Sequence, residues 1–202
     1  MKALALNCTL KRSPEDSNTE ALTDVVLYRL TELGAETEQL RVVDYAVEPG
    51  VVSEPVTDAD GWPGIRQKIV AADILILATP IWVGHPSSVS QRVLERMDAF
   101  LSETKDDGRP IAYDKVAGVV VTGNEDGAHH CISELSGGLV DLGFTVPAQS
   151  WTYWDKGPGP GEEEYLTSDE QGWSKTTAAT AAQNLFATAR ALQERPLPMP
   201  AS

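Results

Sequence analysis

Apolar residues follow two different spacings along the chain, and their alternation predicts the elements of the fold. Five stretches are apolar on consecutive or nearly consecutive positions, which favours strands buried on both faces of a parallel sheet. These stretches cover residues 3–8, 40–43, 73–78, 116–121 and 144–154. The first of them is too short for the apolar core of a signal peptide, so we interpret it as a strand.

Between the predicted strands, apolar residues recur every three or four positions, which predicts amphipathic helices. The helical segments cover residues 21–33, 65–70, 89–101, 128–142 and 178–192. Gly34 and Gly143 are well placed to end two of these helices, and Pro196 stops the last one. Strand and helix alternate five times, so we expect a single α/β domain of three layers over residues 1–195.

Two internal segments and the C-terminal tail do not fit this alternation. Residues 47–63 are rich in Pro, Gly and acidic residues and predict a surface excursion. Residues 155–172 combine repeated Gly-Pro pairs with three consecutive glutamates, which predicts a long surface loop, and such loops are usually lids, subunit contacts or disordered. We expect residues 196–202 to form a flexible tail.

Charge excludes several classes of partner. The chain has 30 acidic and 16 basic residues and a net charge of −14, so we expect it to bind neither nucleic acid nor an anionic membrane. No apolar stretch approaches the ~20 residues that a membrane-spanning helix needs. The two cysteines, Cys8 and Cys131, are too few for a secreted disulfide framework. We therefore expect a cytoplasmic protein with both thiols reduced.

The loop after the first strand is suited to an anion. In a parallel sheet the loops that follow the strands lie at one edge, where ligands bind. Thr9, Ser17 and Thr19 surround the predicted start of a helix, whose free N–H groups attract phosphate, and Lys11 or Arg12 offsets the negative charge of the chain. The alternative is that Ser17 and Glu20 form only a helix-capping box, and the sequence leaves both interpretations open.

The loops after the third and fourth strands are suited to a flat ligand. Trp82 stands between Pro80 and Gly84, which favours an aromatic side chain at the binding edge. Gly123 and Gly127 follow the fourth strand and permit close approach of a ligand. One loop suited to phosphate and two suited to a planar ring together indicate flavin mononucleotide (FMN).

These three loops, in this order and at this spacing, resemble those of the NADPH-dependent FMN reductases of the flavodoxin-like superfamily. The resemblance covers roughly residues 1–150 and the last helix. It implies a three-layer α/β/α fold, a five-stranded parallel sheet of order 2-1-3-4-5, and non-covalent FMN. The phosphate loop departs from the family pattern, because it begins Asn7-Cys8-Thr9 instead of Gly-Ser or Ser-x-Arg and contains the extra acids Glu15 and Asp16.

The resemblance also implies which residues bind the cofactor. The residues expected at the phosphate are Thr9, Lys11, Ser17, Asn18 and Thr19. The residues expected along one side of the ring are Pro80, Ile81, Trp82, Val83 and Gly84, and those along another side are Asn124, Glu125, Gly127, Ala128 and His129. His129 is a candidate for tuning the flavin, although a histidine in the first turn of a helix is more often a surface residue.

The function implied is an NAD(P)H oxidoreductase. Hydride would pass from the nicotinamide to the flavin, and electrons would then pass to a small-molecule acceptor such as a quinone, a metal complex or free flavin. Because the chemistry belongs to the cofactor, we assign no catalytic side chain. Members of the family are commonly dimers or tetramers, so we expect a homodimer or homotetramer.

Two other functions stay open on the same fold. One is an FMN-containing electron carrier without nicotinamide turnover, which the acidic charge would suit. The other is a non-redox protein that binds a different phosphate ligand or only a partner protein. The colour of the purified protein separates the last from the flavin functions, and bleaching by NAD(P)H separates reductase from carrier.

Three further residue groups suggest chemistry, and for each the plainer interpretation is favoured. His129, His130 and Cys131 are consecutive on a helix and diverge by about 100° per residue, so we expect no metal site, although His85 could join them in space. Cys8 and Arg12 are too close in sequence for a thiolate phosphatase, which favours a buried, unreactive Cys8. The aromatic residues at 151, 153 and 154 are expected in the core or an interface rather than over the ring.

Overall fold

The computed structural model describes residues 1–200 and contains one central parallel sheet. Its strands are β1 (Lys2–Asn7), β2 (Glu36–Arg41), β3 (Ile74–Trp82), β5 (Val116–Gly123) and β6 (Trp151–Asp155). They are arranged in the order β2-β1-β3-β5-β6, and the two-residue strand β4 (His85–Pro86) pairs antiparallel with the end of β3. This arrangement confirms the predicted flavodoxin-like order, with β5 and β6 as the predicted fourth and fifth strands.

Helices cover both faces of the sheet. They are α1 (Asn18–Glu32), α2 (Trp62–Ala71), α3 (Ser88–Met97), α4 (Ala128–Asp141) and α5 (Gly172–Glu194). Alternate residues of β1 point to opposite faces, so that Ala3 and Ala5 pack towards α1 and α5, whereas Leu4 and Leu6 pack towards α2, α3 and α4. Burial on both faces explains why β1, β3 and β5 are apolar on consecutive positions.

Two predicted strands differ from the observed ones in their bounds. The prediction at residues 40–43 misses most of β2, because this edge strand exposes alternate side chains and is largely polar, while Val42–Asp44 already form a short 3-10 turn. The strand predicted at residues 144–154 begins too early, because β6 starts only at Trp151. Before it, the pairing with β5 is limited to an isolated bridge at Thr145 and a hydrogen bond from the Val119 N–H to the Ser150 carbonyl.

The irregular segments are folded against the domain. Between β2 and α2, Asp60 forms a buried ion pair with Arg96 of α3, with 2.8 Å between Asp60 Oδ2 and Arg96 Nη1. Between β6 and α5, the chain contains a 3-10 turn at Tyr165–Thr167. After α5, the Leu197 N–H donates to Asp114 Oδ1 at 2.8 Å. Residues 201 and 202 of the predicted flexible tail lie outside the described residues.

Across residues 1–200, no helix is long and apolar enough to cross a membrane.

Candidate functional site

A cleft lies at the carboxyl ends of β1, β3 and β5. Strand β2 lies on one side of β1 and β3 lies on the other, so the strand order reverses between β1 and β3. The cleft therefore lies at the topological switch point, where open α/β sheets bind ligands. Nine of the predicted cofactor residues line it. They are Thr9, Lys11, Ser17, Asn18, Thr19, Pro80, Ile81, Trp82 and Asn124.

The loop after β1 presents the N-terminus of α1 to this cleft. Ser17 caps the helix and accepts a hydrogen bond from the Glu20 N–H at 3.2 Å. The reciprocal half of a capping box is missing, because the Glu20 carboxylate pairs with Arg41 instead. Thr9 Oγ1 accepts from the Lys11 N–H at 3.3 Å, which orders the loop. The free N–H groups and partial positive charge of the helix start therefore face the lining hydroxyls, a donor set that fits a phosphate.

The loop after β3 is a tight hairpin turn. Its two central residues, Val83 and Gly84, both have positive φ, at 54° and 74°. Such turns ordinarily use Asn-Gly, since a β-branched residue is strained in this region. The side chain of Val83 is 87% exposed and gains little from packing, whereas Trp82 is half-exposed and lines the cleft. The turn therefore places strained backbone beside the predicted ring site.

The loops after β3 and β5 contact each other through main-chain and side-chain atoms. The Val83 N–H donates to Glu125 Oε1 at 2.9 Å. At Gly127, where φ is 119°, a Cβ atom would lie only 2.9 Å from the Cα and O atoms of Gly84. Glycine is required at position 127 by both the conformation and this close approach.

Six of the predicted cofactor residues do not line the cleft. They belong to the two touching turns or to the start of α4, and they are Val83, Gly84, Glu125, Gly127, Ala128 and His129. The His129 ring lies against Tyr153 and Trp151, with centroids 5.1 and 5.7 Å away. The aromatic side chains at 151 and 153 thus contact His129 next to the cleft, and the tuning role of His129 stays a prediction.

Sequence reasoning missed several residues that line the cleft. They are Leu10, Thr122, Trp154, Glu163 and Glu164, whereas Gly123, which also lines the cleft, was predicted to permit close approach of a ligand. Thr122 Oγ1 lies 2.8 Å from Thr19 Oγ1 and joins β5 to α1. Trp154 is buried, and within residues 1–200 its indole N–H, which is also buried, has no hydrogen-bond partner. Because Trp154 lies at the carboxyl end of a predicted strand, the sequence could have indicated that it lines the cleft. Nothing in the sequence around Glu163 and Glu164 indicates that these residues reach the cleft.

An acidic segment, residues 161–166, closes one side of the cleft. The Asn18 side chain donates to Glu164 Oε2 at 3.4 Å and accepts from the Leu166 N–H at 3.1 Å. The Asn124 side chain donates to the Gly161 carbonyl at 2.6 Å. The remaining cleft has a volume of about 130 Å³, below the ~300–1,000 Å³ of typical ligand pockets. The donor set fits a flavin phosphate, and this segment determines how much of the cleft is open to it.

The two cysteines are unsuited to nucleophilic chemistry. Cys8 is fully buried at the end of β1, and burial raises the pKa of its thiol far above the usual range. Burial, with the nearby Glu134 carboxylate, raises the pKa of Cys131 to about 12. Both shifts favour the protonated thiol at neutral pH, and the prediction that Cys8 is buried is confirmed.

The fold and its switch-point cleft define a flavodoxin-like α/β protein. The sequence profile of the NADPH-dependent FMN reductase family matches residues 1–159, and the chain belongs to this family. A relative from Streptomyces davaonensis, 8-demethyl-8-aminoriboflavin-5'-phosphate synthase, is 35% identical over 97% of this chain and 80% of its own length. A Mycobacterium bovis protein named divalent metal cation transporter MntH is 39% identical over 79% of this chain, which spans only 24% of that relative.

Solved structures show the same fold. RosB with the bound intermediate 8-demethyl-8-formylriboflavin-5'-phosphate superposes with a TM-score of 0.86 and 34% identity, covering 98% of this chain and 82% of RosB. A flavone reductase superposes with a TM-score of 0.67 at 17% identity, covering 96% of this chain and 64% of that one. The second likeness concerns the fold alone.

Proposed function

We propose that this protein is an FMN-dependent oxidoreductase that takes hydride from NAD(P)H and passes electrons to a small-molecule acceptor. The observation that carries the proposal is the convergence of three loops on one cleft at the switch point. The N-terminus of α1 and the aromatic residues Trp82 and Trp154 all line it. Membership of the FMN reductase family supports the same function.

The cleft residues would divide the work of holding the cofactor. Ser17 and Asn18 at the start of α1, with the Lys11 ammonium, would bind the phosphate. The β3 end from Pro80 to Trp82 would lie along the ring, and the buried Trp154 would exclude water from the far side of the cleft. Bound FMN supplies the two-electron chemistry, and the chain supplies binding, orientation and electrostatics.

The proposal includes three expectations about the whole protein. The acceptor is a quinone, a metal complex or free flavin; the protein works as a homodimer or homotetramer; and it is cytoplasmic. The half-exposed Trp173, 4.7 Å from Tyr153 between ring centroids, supports a subunit contact close to the site. Sedimentation of the purified protein measures the oligomeric state directly.

The visible spectrum of the purified protein tests the function. We expect flavin bands that bleach when NADPH or NADH is added under anaerobic conditions and return when a quinone is added. Bands that never bleach would instead establish an electron carrier. A colourless protein that FMN cannot reconstitute would establish a non-redox function.

A matched pair of variants tests the site. Lys11→Met removes the lining cation and should weaken FMN binding by roughly tenfold, the effect of one charge-assisted hydrogen bond. Lys175→Met makes the same charge change at an exposed position in the first turn of α5 and should leave the affinity for FMN unchanged. Equal losses in both variants would contradict the assignment of Lys11.

A second candidate function follows from the RosB comparison, in which a riboflavin 5'-phosphate derivative is an intermediate. In this alternative the flavin phosphate is the substrate and is altered at its 8-methyl group. Mass spectrometry of the flavin after extended incubation separates the two functions. An unchanged FMN mass over many turnovers of NAD(P)H supports the oxidoreductase, and a changed mass supports the flavin-modifying enzyme.

A further inference from the structure

Three side chains that can bind a metal ion converge on the surface beside the two touching turns. His85 begins β4, His130 lies in the first turn of α4, and Glu134 lies one helical turn later on the same face. His85 is more than forty residues away from His130 and Glu134 in the sequence. The hairpin at the end of β3 brings His85 into contact with His130 of α4.

The three ligand atoms form a compact triangle. His130 Nε2 lies 3.1 Å from His85 Nδ1 and 3.3 Å from Glu134 Oε2, and His85 Nδ1 lies 3.7 Å from the same oxygen. Around a tetrahedral Zn²⁺, with bonds of 2.0–2.2 Å to nitrogen and oxygen, neighbouring ligand atoms stand about 3.4 Å apart. The observed edges bracket this separation, so one ion could contact all three atoms with little rearrangement.

Hydrogen bonding alone does not satisfy this triangle. Each histidine contacts both of the other groups through a single ring nitrogen. If the proton of one histidine nitrogen is donated to the other histidine, the accepting nitrogen and the Glu134 oxygen face each other with lone pairs only. In the described part of the chain no lysine or arginine pairs with Glu134. A divalent cation would satisfy the lone pairs of all three atoms together.

We propose that His85, His130 and Glu134 bind a divalent transition-metal ion of the Zn²⁺ class. Two imidazoles and one carboxylate suit zinc and its neighbours rather than Mg²⁺ or Ca²⁺, which prefer oxygen ligands. All three side chains are exposed, so the fourth position of the ion faces solvent. This site is separate from the cleft, and its existence does not depend on the proposed function.

The bound metal holds together the two turns beside the cleft. His85 directly follows the Val83-Gly84 turn, and His130 follows the Gly127 turn by three residues. The main-chain contact between Gly84 and Gly127 already joins these turns, and the metal adds a second link between β4 and α4. Because the ion binds only where the turns are folded, it stabilises the native state.

Titration of the chelator-stripped protein with Co²⁺, followed by its visible absorption, tests the site. We expect one Co²⁺ per chain, displacement by Zn²⁺, no displacement by Mg²⁺, and a higher midpoint of thermal unfolding with Zn²⁺. His130→Ala and Glu134→Gln each remove a ligand of the metal. Loss of a residue that only hydrogen-bonds to a metal ligand typically costs ~10- to 100-fold in metal affinity, so loss of a ligand itself should weaken binding by at least that factor.

The control is His129→Ala, which removes the neighbouring histidine outside the triangle and should bind Co²⁺ as the wild type does. Glu134→Gln keeps the shape of an exposed side chain, so it reports on the site even where His130→Ala fails to fold. The proposal is overturned by an absence of Co²⁺ binding in the wild type, by binding that both ligand variants retain, or by equal loss in His129→Ala.

Discussion

Val83 has a backbone conformation that its side chain opposes. Its φ of 54° lies in the left-handed region, which costs a β-branched residue roughly 1–2 kcal/mol, and its exposed side chain gains little in return. Val83→Asn gives the turn the Asn-Gly sequence that it favours. We expect this variant to be more stable by about 1 kcal/mol, a rise of ~2–4 °C in the unfolding midpoint.

The control for Val83→Asn is Val51→Asn, at an exposed valine without positive φ. This second variant should leave the unfolding midpoint within about 1 °C of the wild type. A similar rise in both variants would mean that surface polarity, rather than relief of backbone strain, accounts for the gain.

Two glycines, one just before α4 and one inside it, should respond oppositely to replacement by alanine. At Gly127 a methyl group meets the Gly84 main chain at 2.9 Å and the φ is unfavourable, so Gly127→Ala should lower stability by about 2 kcal/mol. At Gly137, inside α4, nothing lies within 4 Å of the new atom, so Gly137→Ala should raise stability by roughly 0.5–1 kcal/mol. Urea denaturation of both variants measures the two signs, and two losses would contradict the argument.

At the scale of elements, the acidic segment at residues 161–166 would oppose the phosphate of FMN bound as proposed. Glu164 lines the cleft and contacts Asn18 at the helix start, whereas Glu162 in the same segment does not line it. Glu164→Gln removes one negative charge near the phosphate, which should tighten FMN binding by roughly 3- to 10-fold. Quenching of flavin fluorescence measures the affinity.

Glu162→Gln is the matched control, since it makes the same change of net charge outside the cleft. It should bind FMN within about twofold of the wild type. An equal gain in the two variants would assign the effect to net charge rather than to the position of Glu164.

The segment between β2 and α2 depends on one buried ion pair. Arg96 and Asp60 are both fully buried, and Asp60 also accepts hydrogen bonds from the main-chain N–H groups of Glu48, Val56 and Trp62. Burial acts to raise the pKa of Asp60, but these three N–H groups and Arg96 outweigh it, and the pKa lies below its usual value. The ionised form is therefore the one that stabilises the fold.

Asp60→Asn should lower the free energy of unfolding by about 3–5 kcal/mol at pH 7, because the buried charge of Arg96 loses its carboxylate counter-charge and keeps only the main-chain carbonyls of Glu48 and Glu54. A lowered native pKa gives stability that is present above the unfolded pKa of about 3.9 and is lost as the pH falls through the native pKa. The difference between wild type and variant should shrink below about pH 4. Asp58→Asn, an exposed change in the same segment, serves as control, and a constant difference at all pH values would contradict the role of ionised Asp60.

Sequence patterning predicted the elements that are buried on two faces and missed what depends on tertiary placement. Strands β1, β3 and β5 are predicted correctly because helices cover both of their faces, which makes them apolar at consecutive positions. The predicted position of β2 is displaced towards residues 40–43, because this edge strand exposes alternate side chains and is largely polar. The first loop was predicted from its hydroxyls. Glu164 was not, since no local signal shows that a distant acidic segment folds back onto α1.

At the scale of the whole molecule, the net charge of −14 opposes an anionic ligand. Raising the salt concentration from about 10 mM to 150 mM shortens the Debye length from ~30 to ~8 Å and screens this repulsion. We expect the dissociation constant of FMN to fall by roughly two- to fivefold over that range. Riboflavin, which lacks the phosphate, should show little change, and weaker FMN binding in salt would contradict the argument.

The contact between Gly84 and Gly127 also bears on how such a protein can diverge. At Gly84 and Gly127 the two turns approach through main-chain atoms, so this part of their contact requires no particular side chain at positions 83 and 126. Val83 and Asp126, which flank the contact, are both exposed. Selection could therefore alter what the molecule recognises at this rim while the geometry beneath it is inherited intact.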